Sequence, residues 1–483
     1  MVFIGVDCGT SALKAVLVDE RERTLAAATR PYAPDRPQPL WSEQNPEVWR
    51  DAMFAALSTL RAEAPQSWAG VRGLGFSGQM HGLVALGRDD RPVRPAILHN
   101  DGRAHAEAAA LHAEHGALER AVGVKAMASF PAAKMLWLKR HEPEAHARIA
   151  CVLAPKDWLR LALTGEKASD MSDAAGSWWL DEASRAWSAP ALAASATEPA
   201  QTPPLLEGSA AAGRLRREVA ESVGLPRDTV VAAGGGDAAV GAVALGAVRP
   251  GDAFISLGTA CQWILAADSY EAAPEKLVHS FAHALPGRWY RMAAMLNGAG
   301  ALAFAGRLLG AEVAALEAEA AEDYRGPGAL LFLPYLSGER TPHDDPHARG
   351  VAFGLTEATS RAEFARAVME GVAFTLADAR DCLAAPPRVG LIGGGARSLL
   401  WTRMIASACG AEVTRYRGGE TGPALGAARL ARLAATGEAP EALCRPPEAL
   451  DVIAPEPALA EAFAARRGRF QALYRALKPE FAP

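Results

Sequence analysis

The sequence predicts an α/β protein made of two related domains facing each other across a cleft. Three observations lead there. The apolar run Val2-Phe3-Ile4-Gly5-Val6 reaches Asp7, turns at Gly9-Thr10 and leaves through a second apolar run, Ala15-Val16-Leu17-Val18. The unit returns at Phe254-Ile255-Ser256-Leu257-Gly258-Thr259, with Ser256 in the place of Asp7. Around both units, short apolar strands alternate with helical stretches, the α/β pattern. A chain of 483 residues can hold two such domains, each with its own core. The boundary is expected near 245–252, giving domains of 1–247 and 248–483.

In order along the chain, residues 1–35 read as strands with polar turns. Asn45-Pro46-Glu47 starts a helix, with Asn45 as N-cap and Pro46 at the first helical position. Val71 to Ser77 is a strand that delivers Gly78-Gln79-Met80-His81-Gly82 to a loop. Residues 104–120 read as an Ala- and His-rich helix, and Phe130-Pro131 opens another. The Ala-, Ser- and Pro-rich stretch 186–213 reads as a surface excursion. Thr229 to Ala233 is a strand ending in Gly234-Gly235-Gly236-Asp237, followed by a small-residue helix from Ala238 to Val248. The second half has strands at 253–257, 261–266 and 388–392, and helices near 297–309, 361–384, 398–409 and 422–436. A last amphipathic helix, about 457–477, lines up Leu459, Phe463, Phe470, Leu473 and Leu477.

Bulk composition narrows the partners. Fifty basic residues against 55 acidic ones give a net charge of −5, which offers no general attraction to nucleic acid or an anionic membrane. The six cysteines form no CxxC or zinc spacing and read as reduced thiols. No basic leader precedes the first strand and no window approaches 18 uninterrupted apolar residues, so a cytoplasmic location without membrane contact is expected.

Asp237 is the leading catalytic candidate. Three glycines after a strand let a ligand approach the backbone, and an acid at the start of the next helix could accept a hydroxyl proton. Its plainer reading is a helix cap. Both Gly-Thr turns can aim backbone N–H groups and a hydroxyl at phosphate. Only the first adds a carboxylate, Asp7, the natural partner of a phosphate-bound Mg²⁺. Gly393-Gly394-Gly395-Ala396 follows a strand and precedes a helix, a place where a nucleotide can lie on bare backbone. Gly418-Gly419-Glu420-Thr421-Gly422 adds a second glycine loop to the same domain. Gln79, Met80 and His81 combine directional hydrogen bonds with an adaptable apolar wall, suited to a sugar. Asn100-Asp101-Gly102-Arg103 is a second polar loop, whose plainer reading is a helix cap with a surface ion pair. His343-Asp344-Asp345 fits no zinc pattern and reads as a solvated turn.

Taken together, these residues resemble the FGGY family of carbohydrate kinases, of the sugar kinase/actin/heat-shock superfamily, over essentially the whole length. Two long signatures carry the resemblance: Phe130-Pro131-Ala132-Ala133-Lys134-Met135-Leu136-Trp137-Leu138, and Gly350-Val351-Ala352-Phe353-Gly354-Leu355 continuing to Glu363 through Glu370. The loops 78–82 and 100–103, Pro155-Lys156-Asp157, Ser169 to Gly176 and Gly338-Glu339-Arg340-Thr341-Pro342 are similar to those of members acting on D-xylulose. The resemblance implies two actin-like, ribonuclease H-like domains around a central cleft. It implies ATP with Mg²⁺ and transfer of the γ-phosphoryl group to the 5-hydroxyl of D-xylulose. By the same resemblance Asp237 is the base; Met80 and His81 contact the sugar, with Gln79, Asn100 and Asp101 beside them. Asp7 serves the metal, Gly9, Thr10, Gly258 and Thr259 the phosphates, and Gly394, Gly395 and Ala396 the adenosine.

Three positions depart from the family's usual pattern: Ala238 for Asn, His99 for Trp and Ala260 for Ser. Ribulose, a related polyol or glycerol are the alternative acceptors. An ATP-binding sugar sensor or actin-like protein without transferase activity is the alternative of another class. The acid after the glycine triplet argues against it, because a sensor needs no base beside the γ-phosphate. A homodimer is possible, since the apolar last helix could serve packing or association equally well.

Overall fold

A seven-stranded sheet organises each half of the chain, and the two sheets share one strand pattern. The computed structural model describes residues 1–417 and 422–481. The Gly418–Thr421 part of the second glycine loop lies outside the described residues. In the first sheet Thr24–Pro31, Ala12–Asp19, Val2–Cys8, Val71–Gly78, Val230–Ala232 and Ala211–Arg214 lie side by side. Gly235–Gly236 pairs with the far end of Val71–Gly78. In the second, Trp289–Met295, Cys261–Ala267, Ala253–Leu257, Arg388–Ile392, Glu412–Tyr416 and Ala449–Ile453 repeat that order, with Val278–Ala282 added at one edge. Both run antiparallel, antiparallel, parallel, parallel, antiparallel. The echo between residues 2–19 and 254–266 is therefore the first hairpin of a repeated fold.

The central strands are buried on both faces, which is why they read as continuous apolar runs. The helix Gly422–Thr436 lies in sequence between two strands of the second sheet, Glu412–Tyr416 and Ala449–Ile453, yet packs on the first. Small residues allow it to come close: a Cβ at Gly5 or Gly75 would overlap the carbonyl oxygens of Ala424 or Ala427. The helix Asp237–Leu245 packs against Gly422–Thr436, so the halves are joined by crossed helices as well as by the 245–252 connection. Arg429 reinforces this crossing, binding Glu22 and the carbonyls of Val243 and Ala244.

Asn45 accepts from the Glu47 amide and Pro46 takes the first position of the helix Pro46–Glu63, as expected. Elsewhere local reading and structure part. The 104–120 stretch is a helix over His105–His115, broken at Gly116 into a tight turn and a short helix Glu119–Val122. The 186–213 stretch is no simple surface excursion. It forms a hairpin strand at Ala186–Trp187, a helix Ala189–Ala194 with Ala191 and Leu192 buried, and the sheet-edge strand Ala211–Arg214. The Trp179 indole, donating to the buried Ser195 hydroxyl at 2.7 Å, draws this stretch inward. The 343–345 turn is also less solvated than expected. His343 stacks on Tyr474 at 3.7 Å, and buried Asp345 accepts from the Tyr474 hydroxyl. All six cysteines are free thiols. Among the described residues no helix is long and apolar enough to cross a membrane.

Candidate active site

The cleft between the sheets collects most of the residues singled out in the sequence. Asp237 occupies the first position of its helix, with Gly236 as the cap residue, so it does not serve as the cap itself. It lines a cavity of about 190 Å³ whose other walls include Ser256, Gln262 and Ile392 of the second sheet and Pro423. Its side chain is open to solvent in this recess, but protein surrounds the recess and poorly solvates a charge there. That desolvation, and then the negative charge of Asp7, push its carboxyl up to about 7. Two roomier recesses, about 710 Å³ around Asp252 and Tyr416 and about 940 Å³ around Arg91 and Arg148, contain none of these groups.

Asp7 is the penultimate residue of the first strand, where burial raises its carboxyl, while the Ser77 hydroxyl and the Lys14 charge oppose the rise. Lys14 lies directly across the hairpin from Asp7. Counting back from the Gly9-Thr10 turn would have found this pairing in the sequence. The Oδ1 atom of Asp7 is buried without a hydrogen-bond partner among the described residues. A buried hard oxygen with an open coordination position suits Mg²⁺, directly or through its water.

The first Gly-Thr turn is braced by Gln79. Gln79 donates to the Gly9 carbonyl at 3.3 Å, accepts from the Thr10 hydroxyl at 3.3 Å, and lies 3.2 Å from His99 Nδ1. Gln79 is buried, and these three bonds leave one of its amide N–H donors uncommitted among the described residues. The second turn is cradled by Gly298 and Ala299, whose amides donate to the carbonyls of Thr259 and Gly258 at 2.9 and 2.7 Å. Thr259 is exposed at this turn. Neither Lys14 nor the 298–299 cradle was singled out in the sequence.

Met80 lies under Gly236: a Cβ there would sit 2.5 Å from Met80 Cγ. From the other lobe, Tyr290 directs its hydroxyl at Met80 Sδ, 3.7 Å away. His81 packs edge-on against Phe130, and its Nδ1 is 2.7 Å from the Gly176 carbonyl. Burial holds the imidazole neutral, well below its ordinary value. Nδ1 then carries the proton and Nε2 is left as an acceptor. Lys134 tethers this loop by donating to the carbonyls of His81 and Ile97 at 2.7 and 3.3 Å, and burial pushes it down to about 7. A lysine inside the apolar 130–138 signature was the visible sign of a buried tether.

The Asn100-Asp101 loop behaves differently from expectation. Asp101 forms a buried, two-pronged pair with Arg103 at 2.9 and 2.7 Å and also accepts from the amides of Ser42 and Arg103. Arg103 stacks 3.6 Å from the Trp41 ring centroid. The following helix starts after Ala104 without a side-chain cap. So the pair is neither a surface ion pair nor a cap, and the Asp101 carboxylate is already committed to four donors. Asn100 is exposed.

A buried brace lies behind the glycine triplet. Lys156 Nζ is 2.6, 2.7 and 3.2 Å from Asp157, Asp170 and Asp173, so its ammonium occupies the point where these three carboxylates converge. Burial works against its charge, but these carboxylates outweigh it and raise Lys156, while burial pushes the Asp173 carboxyl well above its ordinary range. Ser172, bonded to Asp170, accepts the Gly236 amide at 3.0 Å. The brace therefore fixes the backbone that carries Asp237. At the adenosine candidate the glycines divide. Gly395 is packed against Leu257, where a Cβ would overlap that side chain, whereas Gly394 is exposed.

The similarities to known proteins follow the same two-part layout. The chain matches the N-terminal domain of the FGGY family of carbohydrate kinases over residues 2–244 and the C-terminal domain over 253–435. It is 45% identical to the xylulose kinase of Escherichia coli over 484 aligned positions, covering 99% of both proteins. A crystal structure described as a xyloylose kinase from Brucella ovis superposes with a TM-score of 0.97 at 43% identity, covering 99% of this chain and 100% of that one. The xylulose kinase of Rhodospirillum rubrum gives 0.92 at 30% identity, with both chains fully covered. The glycerol kinase of Plasmodium falciparum, at 17% identity and a TM-score of 0.87, shares the fold over 100% of this chain and 98% of its own.

Proposed function

This chain belongs to the FGGY family of carbohydrate kinases, and from that premise we propose that it phosphorylates D-xylulose at the 5-hydroxyl with ATP. The observation that carries the reading is the placement of Asp237, on the wall of an interlobe cavity and within electrostatic reach of Asp7. Phosphoryl transfer asks a protein chiefly for positioning and charge neutralisation. In our reading the ketose lies beside Met80 and His81, with His81 Nε2 accepting from one of its hydroxyls. The 5-oxygen attacks the γ-phosphorus, the bond to the β,γ-bridging oxygen breaks, and ADP leaves. Asp237 takes the hydroxyl proton. A carboxyl near 7 suits this role, since a base works best when its proton affinity matches the operating pH.

Asp7 would hold Mg²⁺, whose chemistry is to neutralise the phosphate oxygens. Lys14, Gly9 and Thr10 serve the same phosphates from the first lobe, and Gly258 and Thr259 from the second. Adenosine lies on Gly394 and Ala396, with Gly395 keeping that loop close to Leu257. A panel of ketopentoses, pentitols and glycerol, scored by kcat/KM with ATP, tests the reading. D-Xylulose is expected to lead, with ADP release that depends on it. Sugar-independent ADP release, or a preference for another acceptor, would overturn it.

A further inference from the structure

A methionine has three rotatable bonds and no fixed shape of its own, yet each heavy atom of Met80 beyond Cβ has a close neighbour. A Cβ at Gly236 would sit 2.5, 2.7 and 3.1 Å from its Cγ, Sδ and Cε, and a Cβ at Gly176 would sit 2.9 Å from Cε. Two glycines therefore leave the slot that this side chain fills. The remaining contact comes from the second half of the chain. Tyr290, on the strand Trp289–Met295, donates its hydroxyl to Met80 Sδ at 3.7 Å. The tyrosine ring stands edge-on to Phe281 and His283, with centroids 6.0 and 6.2 Å away and planes at 88° and 87°. These two rings hold the phenol in line with the sulfur.

Tyr290 is fully buried, and among the described residues Met80 Sδ is the one acceptor its hydroxyl meets. A thioether is a weak acceptor. The bond therefore returns little of what it costs to take a hydroxyl out of water, and phenylalanine would fill the same space. Stability gives little account of the hydroxyl, whereas the orientation of Met80 does. We propose that Tyr290 is a positioning residue for acceptor recognition: from the half opposite the sugar loop, it fixes the methionine wall against which the sugar lies. The proposal rests on the sugar-kinase reading above, with the ketose beside Met80. The base does not depend on this contact. The Gly236 amide has its own anchor in the Ser172 hydroxyl, at 3.0 Å, so the backbone that carries Asp237 stays in place when Met80 loosens.

Steady-state kinetics of the full chain with D-xylulose and ATP test this. Tyr290→Phe removes one oxygen and keeps the ring. It should raise KM for D-xylulose by about 3–10-fold, the worth of one modest hydrogen bond. Its kcat and its KM for ATP should stay within about 2-fold of native, the signature of lost sugar binding without lost transition-state stabilisation. Met80→Leu keeps an apolar wall but has no sulfur to hold. In that background Tyr290→Phe has nothing left to release, so it should change KM for D-xylulose by less than about 2-fold. The proposal fails if Tyr290→Phe leaves KM for D-xylulose unchanged, if it shifts KM for ATP or kcat as much, or if the two substitutions multiply independently. Met80→Leu alone, with KM for D-xylulose unchanged, would remove the sugar from this wall and overturn the proposal through its premise. Native turnover of D-xylulose is scored separately, so each of these failures is distinguishable from failure of the assigned reaction.

Discussion

If Asp237 is the base, its protonation should be visible both in turnover and in folding, with opposite signs. Its carboxyl stands at about 7 against an ordinary 3.8, through desolvation first and the charge of Asp7 second. With both substrates well below saturation, kcat/KM reports the free enzyme. It should then rise with pH along a limb centred near 7, with about a tenth of its plateau at pH 6 and about nine-tenths at pH 8. An unshifted carboxyl would give a flat profile from pH 5.5 upward. Asp237→Asn should reduce turnover by about 10²–10⁴-fold and erase the limb.

The stability effect runs the other way. A carboxyl whose folded value lies above its unfolded value favours folding at low pH, and that contribution is lost as pH rises from about 3.8 through about 7. The Asn variant should therefore melt above the native protein at pH 8, with the advantage gone at pH 4. A flat native profile, or a limb that survives in the variant, would refute the assignment. So would an Asn variant that gains nothing in Tm at pH 8.

Three further outcomes follow from neighbouring contacts. Lys156→Met leaves Asp157 and Asp170 buried without their ammonium, which should cost about 3–5 kcal/mol in urea unfolding; unchanged stability would remove the brace from the argument. Gly395→Ala forces a methyl into Leu257 and should destabilise by about 1–3 kcal/mol, whereas Gly394→Ala has its nearest neighbour at 3.7 Å and should fold normally while binding ATP more weakly. Equal effects of the two in melting and nucleotide titration would contradict that division. Asp7→Asn should raise the Mg²⁺ concentration needed for half-maximal rate, read by Mg²⁺ titration at fixed ATP; an unchanged requirement would place the metal elsewhere.

The repeated hairpin, the glycine triplets and the acids at strand ends were legible because each depends on a handful of adjacent residues. An apolar run ending in an acid and a Gly-Thr turn announces itself in ten positions. What stayed hidden depends on partners far apart in sequence. Gln79 read as a sugar contact, and its bonds to Gly9, Thr10 and His99, 70, 69 and 20 positions away, could not be read locally. Asp101 read as a substrate group or surface pair and proved to be buried against Arg103, Ser42 and Trp41. The 155–157 and 169–176 runs carried a resemblance but no role until folding brought Lys156 and Ser172 behind Gly236. The packing of Gly422–Thr436 on the first sheet is likewise invisible locally, since Gly5 and Gly75 look like ordinary strand glycines until the helix is placed on them.

The same fold unit serves both lobes, but the site needs the copies to differ. In the first hairpin Asp7 faces Lys14, and in the second Ser256 faces Gln262. Ser256 and Gln262 line the cavity with Asp237, while Asp7 already contributes to raising that carboxyl to about 7. A second acid at 256 would push Asp237 higher still and leave it protonated at neutral pH, because like charges in a poorly solvated cleft resist joint ionisation. A serine there keeps a polar wall for phosphate without adding negative charge. The lobe that carries the acid also carries the proposed sugar loop and the proposed base, and the lobe with the neutral hairpin carries the glycine loop proposed for adenosine. On the proposed reading, the repeated strand order supplies a Gly-Thr turn on each lobe for phosphate, and a neutral residue at 256 lets Asp237 remain a usable base.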